Sequence, residues 1–435
     1  MIDVLENVNI VLNNIYDETY KIVEDKEESF NKYIEDNKEN VLNCIYDIAS
    51  EYIILNIQYF YVETFEGEMI NNIIMLLSDT FVNIDIHDIK LEDNIIIYNY
   101  IKKVLHLLYK KLIPRRSYEY TFIRKHPNIT KIQNKISLLR DKFQPEQRTL
   151  EWYEYRSKII TASSAWKIFD SDSCRNNLIY EKCKPFVIYS DSTIVNTDSP
   201  LHWGQKYEPL SIMLYEKKYN TIIEDFGCIR HDNYSFLGAS PDGINVKAES
   251  PLYGRMLEIK NIVNRDITKI PKKEYWIQMQ LQMEVCNLNE CDFLETRFKE
   301  YDSKEDYEKD DNQDTIKGII LYFFENNKPI YEYYIQESDN CYDTWEENIF
   351  NKHNDKLFIR TIYWKLDEFS CILVLRNIKW FNSIIENIQS FWSIIEYEKE
   401  NGYEHRAPKK RKSIEEKKIV EEKKTNEIID MSDKI

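Results

Sequence analysis

The chain has 435 residues, 43% of them hydrophobic and 14% aromatic, which is enough apolar side chain for large buried cores and more than one typical domain. Only 8 glycines and 11 prolines exclude collagen-like and flexible-linker compositions. The net charge of −17 is spread unevenly, with an acidic first hundred residues and a basic stretch over 101–140, so it does not exclude a groove that binds polyanions.

Residues 1–140 show mostly helical periodicity, with apolar clusters at Val8–Ile15 and Val104–Leu108, and predict a mostly helical accessory domain of unassigned role. Ile95–Tyr98 reads as a short strand within it. Lys102, Lys103, Lys110, Lys111, Arg115, Arg116, Arg124, Lys125, Lys131, Lys135 and Arg140 form either a strip facing nucleic acid or a solvated helical face that balances the acidic N-terminus. Gln144-Pro145-Glu146 marks the entry to a second unit, 146–400.

That unit opens with helices, one over 161–169 and one over 204–219 that Pro209 starts near Tyr207 or kinks there. Strands follow at 223–230, 235–241 and 255–261, then a helix at 273–286 and a strand at 291–298. An acidic loop at 301–315 leads to a hairpin, Gly318–Phe324 with Pro329–Ile335, and then to a helix at 376–398 with an apolar stripe from Trp380 to Ile395. This order predicts an α/β fold, a mixed sheet flanked by helices. The tail 404–435 is rich in lysine and glutamate, a solvated helix or disordered, and its Pro408-Lys409-Lys410-Arg411-Lys412 resembles a nuclear-import signal.

Eight cysteines (Cys44, Cys174, Cys183, Cys228, Cys286, Cys291, Cys341, Cys371) contain no C-x-x-C pair. With the scattered histidines they supply neither zinc-finger nor iron–sulfur spacing, and they predict reduced thiols in an intracellular protein. No apolar run reaches the length of a membrane span, and no signal-peptide pattern opens the chain.

The most specific feature is Gly-Ala-Ser-Pro-Asp-Gly at 238–243 followed by Leu-Glu-Ile-Lys at 257–260. Acid-x-Lys triplets also occur at Glu24, Glu216 and Glu416, so the triplet alone means little in so charged a chain. Its context carries the weight. Leu257 and Ile259 alternate with Glu258 and Lys260, the pattern of a half-buried strand with its polar side toward a cleft. Pro241 and Gly243 flank Asp242 as turn residues that hold a carboxylate at a strand end. Two carboxylates can hold a hard cation, which activates water and takes up charge on a departing oxygen, while the amine orients the water or stabilises the charged transition state.

Four more blocks stand in order around that motif: Gln147-Arg148-Thr149-Leu150-Glu151-Trp152 leading to Arg156, Ile160-Thr161-Ala162-Ser163, Trp203-Gly204-Gln205-Lys206-Tyr207-Glu208-Pro209, and Tyr275-Trp276-Ile277-Gln278-Met279-Gln280-Leu281-Gln282. Over about 146–345 the series resembles the YqaJ-type viral recombinase family, the phage lambda-type exonuclease branch of the PD-(D/E)XK nucleases. The resemblance implies a restriction-endonuclease-like mixed sheet. It implies Asp242, Glu258 and Lys260 as the catalytic triple, with Glu208 and the Ile259 carbonyl completing the metal site, and on a helix beside it Gln278 as a further catalytic residue and Gln280 as a DNA-binding one. It implies Arg156 and Ser163 in a pocket for a 5′-phosphate, and Asp232 as a further acid found in some relatives. Thr161 and Ser163 at a helix start, with the planar fork of Arg156, suit an anion on chemical grounds. Thr161 as a plain N-cap and Arg156 as a surface residue suit the same letters. Gln278 and Gln280 lie about 200° apart on a helix, so they cannot both face one site, and Gln278 shares a face with Tyr275 and Gln282.

The leading expectation is a Mg²⁺-dependent 5′-to-3′ exonuclease that resects duplex DNA ends for viral recombination, repair or genome processing, with two metal ions and Mn²⁺ as a substitute. Its rivals are an endonuclease on branched or flapped DNA and a non-catalytic DNA-end-binding factor. A single-strand annealing or recombination protein and a second copy of the chain are the expected partners, without a membrane. The host nucleus or a cytoplasmic viral replication site is the expected location, and the abundance of Asn, Ile, Lys and Tyr fits an AT-rich large DNA virus.

Overall fold

The computed structural model describes residues 26–81, 91–187, 196, 197, 199–336 and 341–408. The N-terminal apolar cluster at 8–15 and the basic segment at 409–412 lie outside the described residues. Helices come first: α1 (26–36), α2 (Lys38–Asn56), α3 (Phe65–Thr80), α4 (Ile95–Lys111), α5 (Ile129–Asp141) and α6 (Leu150–Ser157). Ile95–Tyr98, expected as a strand, is the first turn of α4. The Asn94 side chain caps it by accepting from the amides of Ile96 and Ile97 at 3.1 and 3.0 Å, and Ile97, Ile101, Val104, Leu105 and Leu108 then bury at helical spacing.

A mixed sheet flanked by helices follows, as the order of elements predicts. After β1 (Ile160–Thr161), α7 (Ala162–Ala165), α8 (Asp172–Cys183) and α9 (Pro200–Tyr219) come the short strands β2 (Ile223–Glu224), β3 (Ile229–Arg230), β4 (Leu237–Ala239) and β5 (Gly243–Asn245). The remaining elements are β6 (Met256–Asn261), α10 (Lys273–Val285), β7 (Glu290–Glu300), α11 (Lys304–Lys309), β8 (Lys317–Glu325), β9 (Lys328–Ile335), α12 (Tyr342–Lys352), β10 (Leu357–Leu375) and α13 (Ile378–Asn401). Seven strands pair in the order β2-β5-β6-β7-β10-β8-β9, and β1-β4-β3 form a small separate sheet. Only β6 and β7 run parallel within the large sheet, with Glu258 opposite Phe293, and α10 supplies the long crossover that parallel strands need.

Three sequence expectations change. β10, 19 residues long and central in the sheet, had not been expected as a strand. It pairs on both sides with β7 and β8 and is buried over its second half. The acidic loop holds the short helix α11, capped by Ser303. α9 starts at Pro200 rather than near Tyr207: Ser199 caps it at the His202 amide, and proline at the first helical position forfeits no bond. Pro209 therefore sits inside the helix. The turn it interrupts is held from outside, Asn261 donating to the Gly204 carbonyl at 2.9 Å and the Tyr333 hydroxyl to the Lys206 carbonyl at 2.5 Å.

Alternation along β6 and β7 sorts the two faces of the sheet. Leu257, Ile259 and Leu294 pack with Tyr215 of α9, whereas Met256, Cys291 and Phe293 join the cluster that holds α10 and α13. The N-terminal helices share this second cluster. Phe60 meets Trp276 of α10 at 5.7 Å between ring centroids, Trp276 meets Trp380 of α13 at 4.9 Å, and the Trp276 indole donates to the Arg116 carbonyl. The stretch after α4 runs along β10, Tyr118 and Thr121 amides donating to Leu373 and Cys371 carbonyls. Part of the basic strip is committed to these contacts. Arg116 donates to the Tyr61 carbonyl, Lys135 to that of Asn287, Arg140 pairs with Glu224 and Arg124 with Glu290, while Lys102, Lys103, Lys110 and Lys111 stay exposed.

Candidate active site

The geometry starts at β5 and β6. Asp242 immediately precedes β5, whose Gly243 backbone lies so close to Ile223 of β2 that a Cβ there would collide with it. This close approach seats the carboxylate beside β6, where its Oδ2 accepts the Ile259 amide at 2.7 Å. Glu258 and Lys260, two residues apart on β6, face α10, and the Lys260 ammonium donates to Glu258. Two glutamines of α10 complete the holding of Glu258, which has no solvent exposure: Gln278 donates to Oε1 and Gln282 to Oε2, each at 2.7 Å. Gln282 also reaches the Ser240 carbonyl at 3.3 Å, tying α10 to the loop that carries Asp242.

Glu208 approaches from α9. Burial pushes its carboxyl pKa up, opposed by Arg148, whose Nη2 donates to both carboxylate oxygens at 2.8 and 2.7 Å. Burial, and then the charges of Glu258 and Glu208, push Asp242 well above the usual carboxylate range. Burial works against the charge on Lys260, but Glu258 and Asp242 outweigh it and hold the ammonium pKa above the ordinary lysine range. Lys260 is thus a fixed cation at neutral pH, suited to orient or stabilise rather than to take up a proton.

Glu208, Asp242, Ile259, Lys260 and Gln278 line one cleft of about 820 Å³. Arg148, Trp152, Arg156 and Ser163 line this cleft and also a wider groove of about 1570 Å³ that adjoins it. Arg156 stacks over Trp152 at 4.1 Å and donates to Ser163 at 3.1 Å and Ser240 at 3.3 Å, with burial lowering its pKa. Thr161 is the N-cap residue of α7, and its buried hydroxyl lies 2.9 Å from Ser164 and 3.3 Å from Ser163.

Two expected residues stand elsewhere. Gln280 points to the far side of α10, donating to the Leu375 carbonyl at 2.9 Å and accepting the Asn377 amide at 2.7 Å. It locks β10 to α13 and is too buried to reach DNA, as the helical offset from Gln278 requires. Asp232 is mostly exposed and pairs with Lys142 at 2.6 Å, outside the cleft lining. Conversely, Gln282, Gln147 and Arg148 belong to the site although no role was expected of them. The shared face of Gln278 and Gln282 was the signal for the first, and the sequence holds none for the other two beyond their place in an ordered block.

The acids offer oxygen ligands of the kind hard divalent cations take. Among the described residues no three His, Cys, Asp or Glu side chains form a ready-made metal cage. The acids are instead engaged by Arg148, Lys260 and the two glutamines.

Residues 151–289 match the family model of the YqaJ-like viral recombinase domain. That match covers less than half of the chain. The YqaJ-like segment holds Arg156, Glu208, Asp242, Glu258, Lys260 and both glutamines that hold Glu258, whereas Gln147 and Arg148 stand just before it. An uncharacterized protein of Acanthamoeba polyphaga mimivirus is 28% identical over 338 residues, 68% of this chain and 60% of that protein, so the chain spans about 60% of that relative's length. Two solved structures are similar over 58% of this chain and 95% of their own. They are the alkaline exonuclease LHK-Exo from Laribacter hongkongensis (19% identity, TM-score 0.36) and LHK-Exo in complex with dAMP (18%, 0.34). No helix among the described residues is long and apolar enough to cross a membrane.

Proposed function

We propose that the chain is a metal-dependent DNA nuclease that resects duplex ends from the 5′ strand, in keeping with a viral recombinase domain. The observation that carries this reading is the single cleft lined by Glu208, Asp242 and Lys260, with Asp242 accepting the Ile259 amide and Lys260 donating to the buried Glu258 just behind the lining. Asp242, Glu258, Glu208 and the Ile259 carbonyl would hold Mg²⁺, or Mn²⁺ in its place, one or two ions. When bound, such an ion activates water and takes up charge on the departing oxygen.

The remaining work falls to the chain itself. Gln278 and Gln282 fix the Glu258 carboxylate so that it does not swing onto Lys260 alone. Lys260 keeps a positive charge beside the scissile phosphate and orients the attacking water. Arg156 and Ser163, where cleft and groove meet, present a guanidinium and a hydroxyl to a terminal 5′-phosphate. Asn or Ala at Asp242 or Lys260 removes catalysis without touching that clamp.

End-labelled duplex DNA in Mg²⁺ tests the reading, with wild type and Lys260→Ala side by side. Expected is shortening from the 5′ end by wild type only, faster on 5′-phosphorylated than on dephosphorylated ends. Equal rates on the two ends remove the clamp, cutting of covalently closed circles favours an endonuclease, and binding without cutting in either Mg²⁺ or Mn²⁺ leaves a DNA-end-binding factor.

A further inference from the structure

Arg148 stands where the acids of the cleft need a second cation. Glu208 and Asp242 line the cleft, the charges of Glu208 and buried Glu258 both bear on Asp242, and Lys260 is the one cation of the catalytic triple that offsets them. Arg148 supplies the missing charge to Glu208 from an unusual backbone: its φ is +67°, a left-handed conformation that a residue with a Cβ adopts at a cost. The residue before it, Gln147, is anchored by its side chain. Its side-chain amide donates to Asp225 Oδ1 at 2.8 Å, to the Phe226 carbonyl at 2.9 Å and to the Pro241 carbonyl at 3.1 Å, pinning the segment beside Asp242.

The contact itself is exchangeable. A single nitrogen of Arg148 spans both Glu208 oxygens instead of the two-pronged fork that makes arginine–carboxylate pairs strong. Both side chains keep solvent access, 44% and 27%, and Arg148 also lines the wider groove, where a displaced guanidinium has open space. We infer that Arg148 is the resident counter-ion of Glu208: it holds the carboxylate in place of a divalent metal and competes with the metal for it. This rests on the metal-dependent reading above.

Mn²⁺ binding to the full chain, measured by calorimetry and by electron paramagnetic resonance, tests it with Arg148→Ala and Arg148→Gly. Glycine suits the +67° backbone, so that variant loses the guanidinium without conformational penalty. Removal of a partly exposed ion-pair partner is expected to tighten Mn²⁺ binding roughly two- to fivefold in both variants. Arg148→Lys, keeping a cation, stays near wild type. A purely structural arginine predicts the opposite, weaker binding as the segment loosens. If wild type binds Mn²⁺, and loses it in Asp242→Asn, but Arg148→Gly binds no more tightly, this inference alone fails. If wild type takes up no Mn²⁺ at all, the metal-dependent reading fails and takes the inference with it.

Discussion

Asp292 and Asp242 are acids of the same sheet in opposite situations. Asp292, on β7, faces α9 and has every oxygen supplied: Oδ1 by Thr121 at 2.6 Å and Arg255 at 3.2 Å, Oδ2 by Tyr215 at 2.7 Å. Burial raises its pKa, and the adjacent Arg255 pulls it back. Arg255 continues the network to Glu290 and the Phe122 carbonyl, so the cluster bolts the stretch after α4 onto the sheet. Asp242 has one hydrogen-bond donor among the described residues, the Ile259 amide, and its nearest charges include two further acids. A saturated buried acid braces the fold, whereas one left short of donors and facing a cleft marks where something else is to bind.

The contrast can be broken most sharply by neutralising each acid. Asp242→Asn and Lys260→Ala should lower cleavage on the order of 10²–10³-fold. For Asp242→Asn the thermal midpoint should be unchanged or higher, because an acid repelled by its neighbours is removed. A scanning calorimeter showing a large drop for Asp242→Asn would recast that acid as a brace. Asp292→Ala should do the reverse, costing about 3–5 kcal/mol in denaturant unfolding by stranding the buried Arg255. Retained stability there would mean that Arg255 finds full compensation in Glu290.

Lys182 sharpens the same comparison with a cation. It is buried in the groove wall, donates to the Arg156 carbonyl at 2.9 Å and has Glu181 at 3.8 Å. Burial, opposed by Glu181 and helped by Arg156 and Lys167, lowers its pKa to about 8. A folded-state pKa below the unfolded lysine value means the unfolded chain binds more protons between about pH 8 and 10.5. Stability therefore rises with pH across that window, on the order of 3 kcal/mol, and its charge penalty is fully present below it. Urea titrations of wild type against Lys182→Met should show this rise only in wild type; parallel curves would refute the undersupplied state.

The smallest effects separate the glutamines of α10. Gln280→Ala should cost roughly 1–3 kcal/mol of stability, leaving the Asn377 amide and Leu375 carbonyl unpaired, with little change in cleavage rate. Gln278→Ala should instead slow cleavage with a shift in melting temperature of a degree or two at most. Reversed phenotypes would mean that the two faces of the helix had been assigned the wrong way round.

Local pattern carried much of this in advance. The alternation of Leu257 and Ile259 with Glu258 and Lys260, and the Pro-Asp-Gly turn, put the polar triple on one strand face and at one strand end. Helical arithmetic already separated Gln278 from Gln280 and grouped it with Gln282. Boundaries fared worse where a distant partner decides them. Pro209 breaks a helix by local rules, yet Asn261 and Tyr333 donate to its carbonyls from strands far away in sequence. β10 is a strand because β7 and β8 flank it.

What the order of letters determined by itself is the chemistry on offer: acids and an amine at strand spacing, an arginine and hydroxyls near a helix start, and thiols without metal spacing. Tertiary structure alone decided which of those groups share a cleft. It retired Gln280 and Asp232 to other duties and brought Arg148 onto Glu208 across 60 residues of chain. The reason is physical: periodicity is a property of neighbours along the backbone, while the supply of donors and charge to a buried carboxylate is a sum over everything that packs around it.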